Sequence, residues 1–271
     1  MHVSIEYMFL GLFIVIALGI SFSNMAMVSI LPSREIVQSQ LKVKAESLID
    51  FILLCPGDPP DWDEEGSPRI FGLAFANTSQ PYVLDIGKVY ALNNVDLQEN
   101  LSDLLGVKDE YGFYFKIEPL FRVNIDESSP GMFIINVTSF KGIPLPNVNV
   151  TGYYGDLNER ATVRENTTGF SGMTQLDFTD VSGSVLVVYA SLSGIQVSAV
   201  YPPRSNCTVE AGSIVETQYP PLNEPIVIVY RGILEGKDLK PMSASAVTIY
   251  RYVKIEGCTY YVTFTMWRLV D

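Results

Sequence analysis

YMFLGLFIVIALGISF, residues Tyr7 to Phe22, contains no charged side chain and almost no polar one. Extended through Ser23–Leu31 (SNMAMVSIL), the run approaches the about 20 apolar residues that a helix needs to cross a bilayer. It predicts a long hydrophobic N-terminal helix that carries the rest of the chain. A cleavable secretory signal would place a basic segment ahead of the run and a small-x-small site behind it. Neither is evident. Arg34, Lys42 and Lys44 follow the run and no Lys or Arg precedes it, a bias that leaves its orientation to other evidence. Glu6 sits at the lip of the run, where a carboxylate costs free energy and points to a purpose or a partner.

His2-Val3-Ser4-Ile5-Glu6-Tyr7 ahead of an apolar helix resembles the class III signal peptide of archaeal type IV pilin-like proteins, whose usual form is Gln-x-Ser-x-Glu-Tyr. The resemblance implies cleavage just ahead of His2, with Ser4 part of the processing signal. It also implies that Glu6 pairs with the new α-amine of a neighbouring subunit inside a filament, where an unpaired charge is expensive. His2 replaces the usual Gln, and Met1 stands where a basic leader is expected. Either translation starts upstream or the leader is lost. A plain signal anchor, with Glu6 at headgroup level, is the alternative.

Sequons speak to the side of the membrane. Asn77, Asn100, Asn136, Asn149, Asn166 and Asn206 each carry Ser or Thr two places on, six of 13 asparagines. Ordinary composition would give about two. In Phe133–Ser139, alternation puts Phe133, Ile135 and Val137 on one face and Asn136 on the other, and Asn149 likewise opposes Val148 and Val150. Glycans on those asparagines would point outward. An extracytoplasmic chain is expected.

Between Ser33 and Leu54, Ile36, Val37, Leu41, Ala45, Leu48, Ile49, Ile52 and Leu53 recur at helical spacing. Pro32 either kinks a continuous helix or starts its second half, with Ser33 available as an N-cap. Cys55-Pro-Gly-Asp-Pro-Pro-Asp-Trp62 ends it. The following segment resembles uncharacterised archaeal pilin-like ectodomains in a loose series: Gly57, Pro59 or Pro60, and Trp62; Gly72, Leu73 and Ala74; Leu84, Asp85 and Lys88; Leu104, Leu105 and Gly106; then a strand from Gly112 to Pro119. The acidic cluster Asp58, Asp61, Asp63, Glu64 and Glu65 lacks EF-hand spacing and reads as a solvated loop, so no metal is expected.

From Asp126 to Pro203, short alternating strands every 8 to 12 residues suggest a β-sandwich. Phe140–Thr151 resembles the opening of carboxypeptidase-regulatory-like and other Ig-like surface domains. Farther on, Val247–Ile255 and Thr259–Trp267 flank a Glu256-Gly257 turn as a hairpin, the natural partner for Tyr111–Ile117. The expected fold class is therefore α+β, mainly β: a long hydrophobic helix and a β-rich ectodomain containing an Ig-like sandwich. The expected divisions are 1–31, a transmembrane or filament-core helix; 32–56, its amphipathic continuation; 57–125 plus 204–271, a discontinuous α+β domain; and 126–203, the sandwich. Cys207 and Cys258 are candidates for a disulfide in an oxidising compartment, leaving Cys55 free.

Composition narrows function. Apolar residues form 48% of the chain, enough for a packed core, and the net charge of −12 argues against a nucleic-acid partner. The only histidine is His2, so no Ser-His, Cys-His or His-ligated metal site can be built. No phosphate loop or dinucleotide fingerprint is present, no catalytic residue stands out, and no cofactor is expected. Two non-enzymatic readings remain. One is a pilin-like subunit, expected to be minor, of a type IV pilus-like filament, displaying its Ig-like module for adhesion or spacing. Its partners would be other such subunits through the N-terminal helix, the membrane before assembly, and an unknown surface ligand. The other is a stationary single-pass surface protein.

Overall fold

The computed structural model describes residues 3–231, 233–235, 238–240 and 246–269, with side chains at all of these except 3–12, 23–36, 65, 233–235 and 238–240. His2 and the side chains of Ser4 and Glu6 lie outside the described residues. The chain opens with α1 (Val3–Leu54), followed by α2 (Trp62–Glu65), α3 (Ile86–Ala91) and α4 (Val95–Leu104). Everything later is β: β1 (Tyr111–Pro119), β2 (Arg122–Ser129), β3 (Met132–Thr138), β4 (Asn149–Gly155), β5 (Thr162–Thr167), β6 (Met173–Asp177), β7 (Val185–Leu192) and β8 (Ile195–Tyr201). The last seven are β9 (Cys207–Glu210), β10 (Ser213–Glu216), β11 (Ile226–Tyr230), β12 (Ile233–Glu235), β13 (Asp238–Lys240), β14 (Ala246–Ile255) and β15 (Cys258–Arg268).

The expected fold class needs correction at its first element. Among the described residues, no helix is long and apolar enough to cross a membrane. The exposed apolar stretch whose side chains are described is Phe13–Phe22. Pro32 does not interrupt α1, so Ser33 is not an N-cap. A proline inside a helix removes one backbone hydrogen bond and bends the axis without necessarily ending the element.

The second half of α1 is amphipathic because its apolar residues fall three and four apart. Leu41, Ala45, Ile49, Ile52 and Leu53 are buried, while Val37, Val43, Phe51 and Leu54 face solvent. The buried stripe lies on a four-stranded antiparallel sheet of order β11-β1-β15-β14. Strand alternation supplies the matching face. One row across the sheet reads Ile228, Phe115, Phe264 and Ile249, drawn from all four strands in register and all buried. The hairpin β14–β15 pairs with Tyr111–Pro119 along the full length of β1, the partnership its alternation predicts.

The placement of α1 gives the molecule a direction. Lys44 lies 3.7 Å from Glu110 and 4.1 Å from the Tyr111 ring centroid, where β1 begins. Asp50 holds Arg251 in a forked ion pair, at 2.8 Å to Nε and 3.1 Å to a terminal nitrogen. Arg251 sits in register with Val262 and Ile117, well along the sheet. Residues before Leu41 therefore pass out beyond the Tyr111 end, whereas the chain leaves for the sandwich from the opposite end, at Pro119.

Two sheets form the sandwich, β2-β3-β6 and β5-β4-β7-β8, each with antiparallel neighbours. Val123, Phe133, Ile135, Val137 and Leu176 meet Val150, Tyr154, Leu186, Val188 and Val197 in one buried cluster. Phe133 is central, with Tyr154 at 5.3 Å and Tyr201 at 5.5 Å, both edge-on, a favoured aromatic geometry. Gly152 is needed in β4 because a Cβ there would strike Leu176. Phe121 and Val123 belong to this core, whose first strand, β2, starts at Arg122. The β9–β10 hairpin covers the outer side of the four-stranded sheet through Val187, Val200, Cys207 and Ile214.

Candidate functional site

The loose series of residues between Gly57 and Lys88 converges on one buried amine. Lys88, in α3, is 1% exposed. Its Nζ donates to Pro56 O at 2.8 Å and to Ala74 O at 3.2 Å. Asp85 starts α3 as its N-cap, accepting from the Gly87 and Lys88 amides, as a carboxylate before a first turn should. Trp62 Nε1 donates to Gly72 O at 2.9 Å, and the indole packs on Phe71. Gly72 itself has no room for a Cβ, which would meet Cys55 O, and a Cβ on Gly87 would meet the Asp63 carboxylate. Glycine, tryptophan, aspartate and lysine are thus parts of one knot that ties the end of α1 to α3.

Burial pushes the Lys88 amine down from its ordinary value, against the pull of Asp85, Asp63 and Asp61. Burial pushes the Asp63 carboxyl up; its backbone hydrogen bond opposes this and the Asp85 charge adds to it. A depressed lysine beside carboxylates is a pattern seen at reactive sites. Here the amine is spent on two main-chain carbonyls and closed off from solvent, so its role is structural. Sequence reading placed Lys88 in a resemblance but missed its burial. The only local signal was a lysine within the apolar Ile86–Ala91.

Beside the knot lies a shallow cavity of about 670 Å³, lined by Asp61, Asp63, Glu64, Asp85, Tyr219 and Glu256 among others. It is acidic, yet among the described residues no group of three or more His, Cys, Asp or Glu is placed to hold a metal ion. A larger cleft, about 1060 Å³, separates the sandwich from the main sheet, between β2 and the Pro220–Ile226 segment.

The sequons are spread over the surface. Asn77, Asn100, Asn149 and Asn166 are exposed, and Asn136 and Asn206 are half-buried. Asn136 lies on the outward face of β3, opposite Phe133, Ile135 and Val137. Three side-chain amide nitrogens donate, Asn100 to Asp96 O, Asn166 to Gln175 O and Asn206 to Gln218 O, and Asn149 Oδ1 accepts from Thr167 Oγ1.

The expected disulfide is corrected. Cys55, Cys207 and Cys258 are all free thiols. Cys258 lies in the main core and donates to Ser198 Oγ at 3.4 Å, whereas Cys207 lies in the small cluster under β9–β10. Bridging requires closely apposed Cβ atoms, and two separate clusters do not provide that. Burial pushes both thiols up, the direction that makes them unreactive.

No protein-family model, curated protein or solved structure matches this chain. Its chemistry has to be argued from its own geometry.

Proposed function

We propose that the chain is a non-enzymatic, pilin-like subunit of a type IV pilus-like filament, held at the cell surface, with the sandwich as its displayed adhesion or spacing module. The observation that carries this reading is the division of α1. The stripe Leu41, Ala45, Ile49, Ile52 and Leu53 is sealed into the main core, yet every residue of Phe13–Phe22 is exposed, with Phe13 at 74%, Val15 at 67% and Phe22 at 70%. A continuous apolar surface of this kind marks an interaction site. A helix half embedded in its own body and half offered outward suits packing against copies of itself. The direction of α1 supports it too, because the exposed part leaves from the end opposite the sandwich and leaves that module free.

The experiment is mass spectrometry of the N-terminus in sheared surface filaments and in membrane fractions, for the native chain and for Glu6→Ala. A mature chain beginning at His2 and enriched in sheared material, with Glu6→Ala lost from that fraction, supports the subunit. An uncleaved chain found only in membranes, with Glu6→Ala indistinguishable, replaces it with a stationary surface protein.

A further inference from the structure

The two ends of the sandwich are chemically unlike. At one end the turns carry Glu127, Asp156, Glu159, Arg160 and Asp180, all exposed. At the other, the connections β3–β4 (139–148), β5–β6 (168–172) and β7–β8 (193–194) contain a single charged residue, Lys141. In a chain of net charge −12, three connections without one acid are notable; Phe140 there lies against Lys116 and Arg122, and Glu118 is paired to Lys116 at 2.6 Å. Large apolar side chains project there. Phe170 is 96% exposed and Ile143 59%, with Met173 at 44% beside them.

These side chains stand on turns that are well braced. Ser139 N donates to Ile143 O at 2.8 Å and Gly142 N to Ser139 O at 2.9 Å. Gly169 N donates to Met173 O at 3.0 Å and Gly172 N to Gly169 O at 2.9 Å. Val137 joins the two turns, donating to Gly172 O at 2.8 Å and accepting from Leu145 N at 3.0 Å. Gly172 takes a φ of +73° at the joint, open to glycine at no steric cost. Phe170 and Ile143 therefore stand on two turns that hydrogen bonds through Val137 tie together.

We propose that this end of the sandwich is a lipid-contacting tip. Phe170 and Ile143 enter the interfacial layer of a bilayer, and Lys141 meets headgroup phosphates. A protein partner fits less well. A specific protein interface needs about 1,000 Å² or more of complementary surface, and two side chains on turn apices supply a narrow wedge. A lipid interface accepts such a wedge, with weak and reversible affinity set by the apolar area inserted plus attraction to anionic headgroups. The charge pattern agrees: the acidic end would be repelled by an anionic leaflet, and the Lys141 end would not.

The test uses the full chain, because its two native tryptophans are buried, Trp62 at 1% and Trp267 at 0%. A new indole therefore reports its own surroundings, whatever α1 does. Phe170→Trp at one end and Glu159→Trp at the other are each mixed with vesicles of phosphatidylcholine and phosphatidylglycerol bearing brominated chains. The expected result is a blue shift and quenching at 170 but not at 159. Adding Lys141→Glu to Phe170→Trp should lower the affinity read from that quenching on the order of fivefold or more. Absence of quenching at 170, or equal quenching at both positions, overturns the proposal. So does a shift at 170 that follows protein concentration in the absence of vesicles, which would assign the tip to another protein surface.

Discussion

Lys88 exchanges water for the carbonyls of Pro56 and Ala74, and that exchange sets what a substitution there costs. Lys88→Ala removes the packed stem and leaves both acceptors without their donor. A loss of about 2–5 kcal/mol is expected in a denaturant titration. Lys88→Met keeps most of the volume and removes the charge, so it should lose less than Lys88→Ala. Asp63 permits a sign-specific test. Its folded value is raised above the ordinary 3.8 by burial, so its ionised form opposes folding. That penalty is present above the folded pKa and disappears as pH falls toward 3.8. Asp63→Asn is expected to unfold at a higher temperature than the native chain at pH 7. The difference should shrink steadily on acidification to about pH 4; an advantage independent of pH would mean that desolvation of the charge is not its source.

At the scale of the element, α1 is held by a stripe and a clasp. Ile49 is fully buried in the main core, and Ile49→Ala should cost about 2–5 kcal/mol by transfer and cavity terms together. The clasp is the Asp50–Arg251 fork, which Tyr82 OH joins at 3.2 Å. Both charges are about a third exposed, so its contribution is modest, about 1 kcal/mol. Asp50→Ala should therefore leave global stability almost intact while speeding amide exchange in the last turns of α1. Periodicity alone located the buried stripe from Leu41 to Leu53. It also assigned Val37 to that stripe, and Val37 is exposed, because the helix has already left the sheet there. The end of a packed face depends on where the partner ends, and no local pattern records that.

For the whole molecule, the exposed stretch of α1, the main sheet and the sandwich follow one another in space. If Phe13–Phe22 is the surface that packs against other copies, Phe13→Ser with Val15→Ser should reduce recovery in sheared filaments several-fold while leaving the unfolding midpoint unchanged, since neither side chain touches the core. A fall in both would mean that this stretch stabilises the fold instead. The sequence by itself determined the strands and their faces. Alternation in Phe133–Val137 and in the β14–β15 hairpin is a two-residue pattern, and the turn at Glu256-Gly257 sets their register. Its single histidine, His2, also led to the expectation that no histidine-based site is built. Tertiary structure decided what depends on distant neighbours. It kept Cys207 and Cys258 in separate cores and led Lys88 to carbonyls at Pro56 and Ala74. It also gathered the turns without acidic residues at a single end of the sandwich. Each of those outcomes is a contact between residues far apart in the chain, and only the packed fold brings such residues within reach.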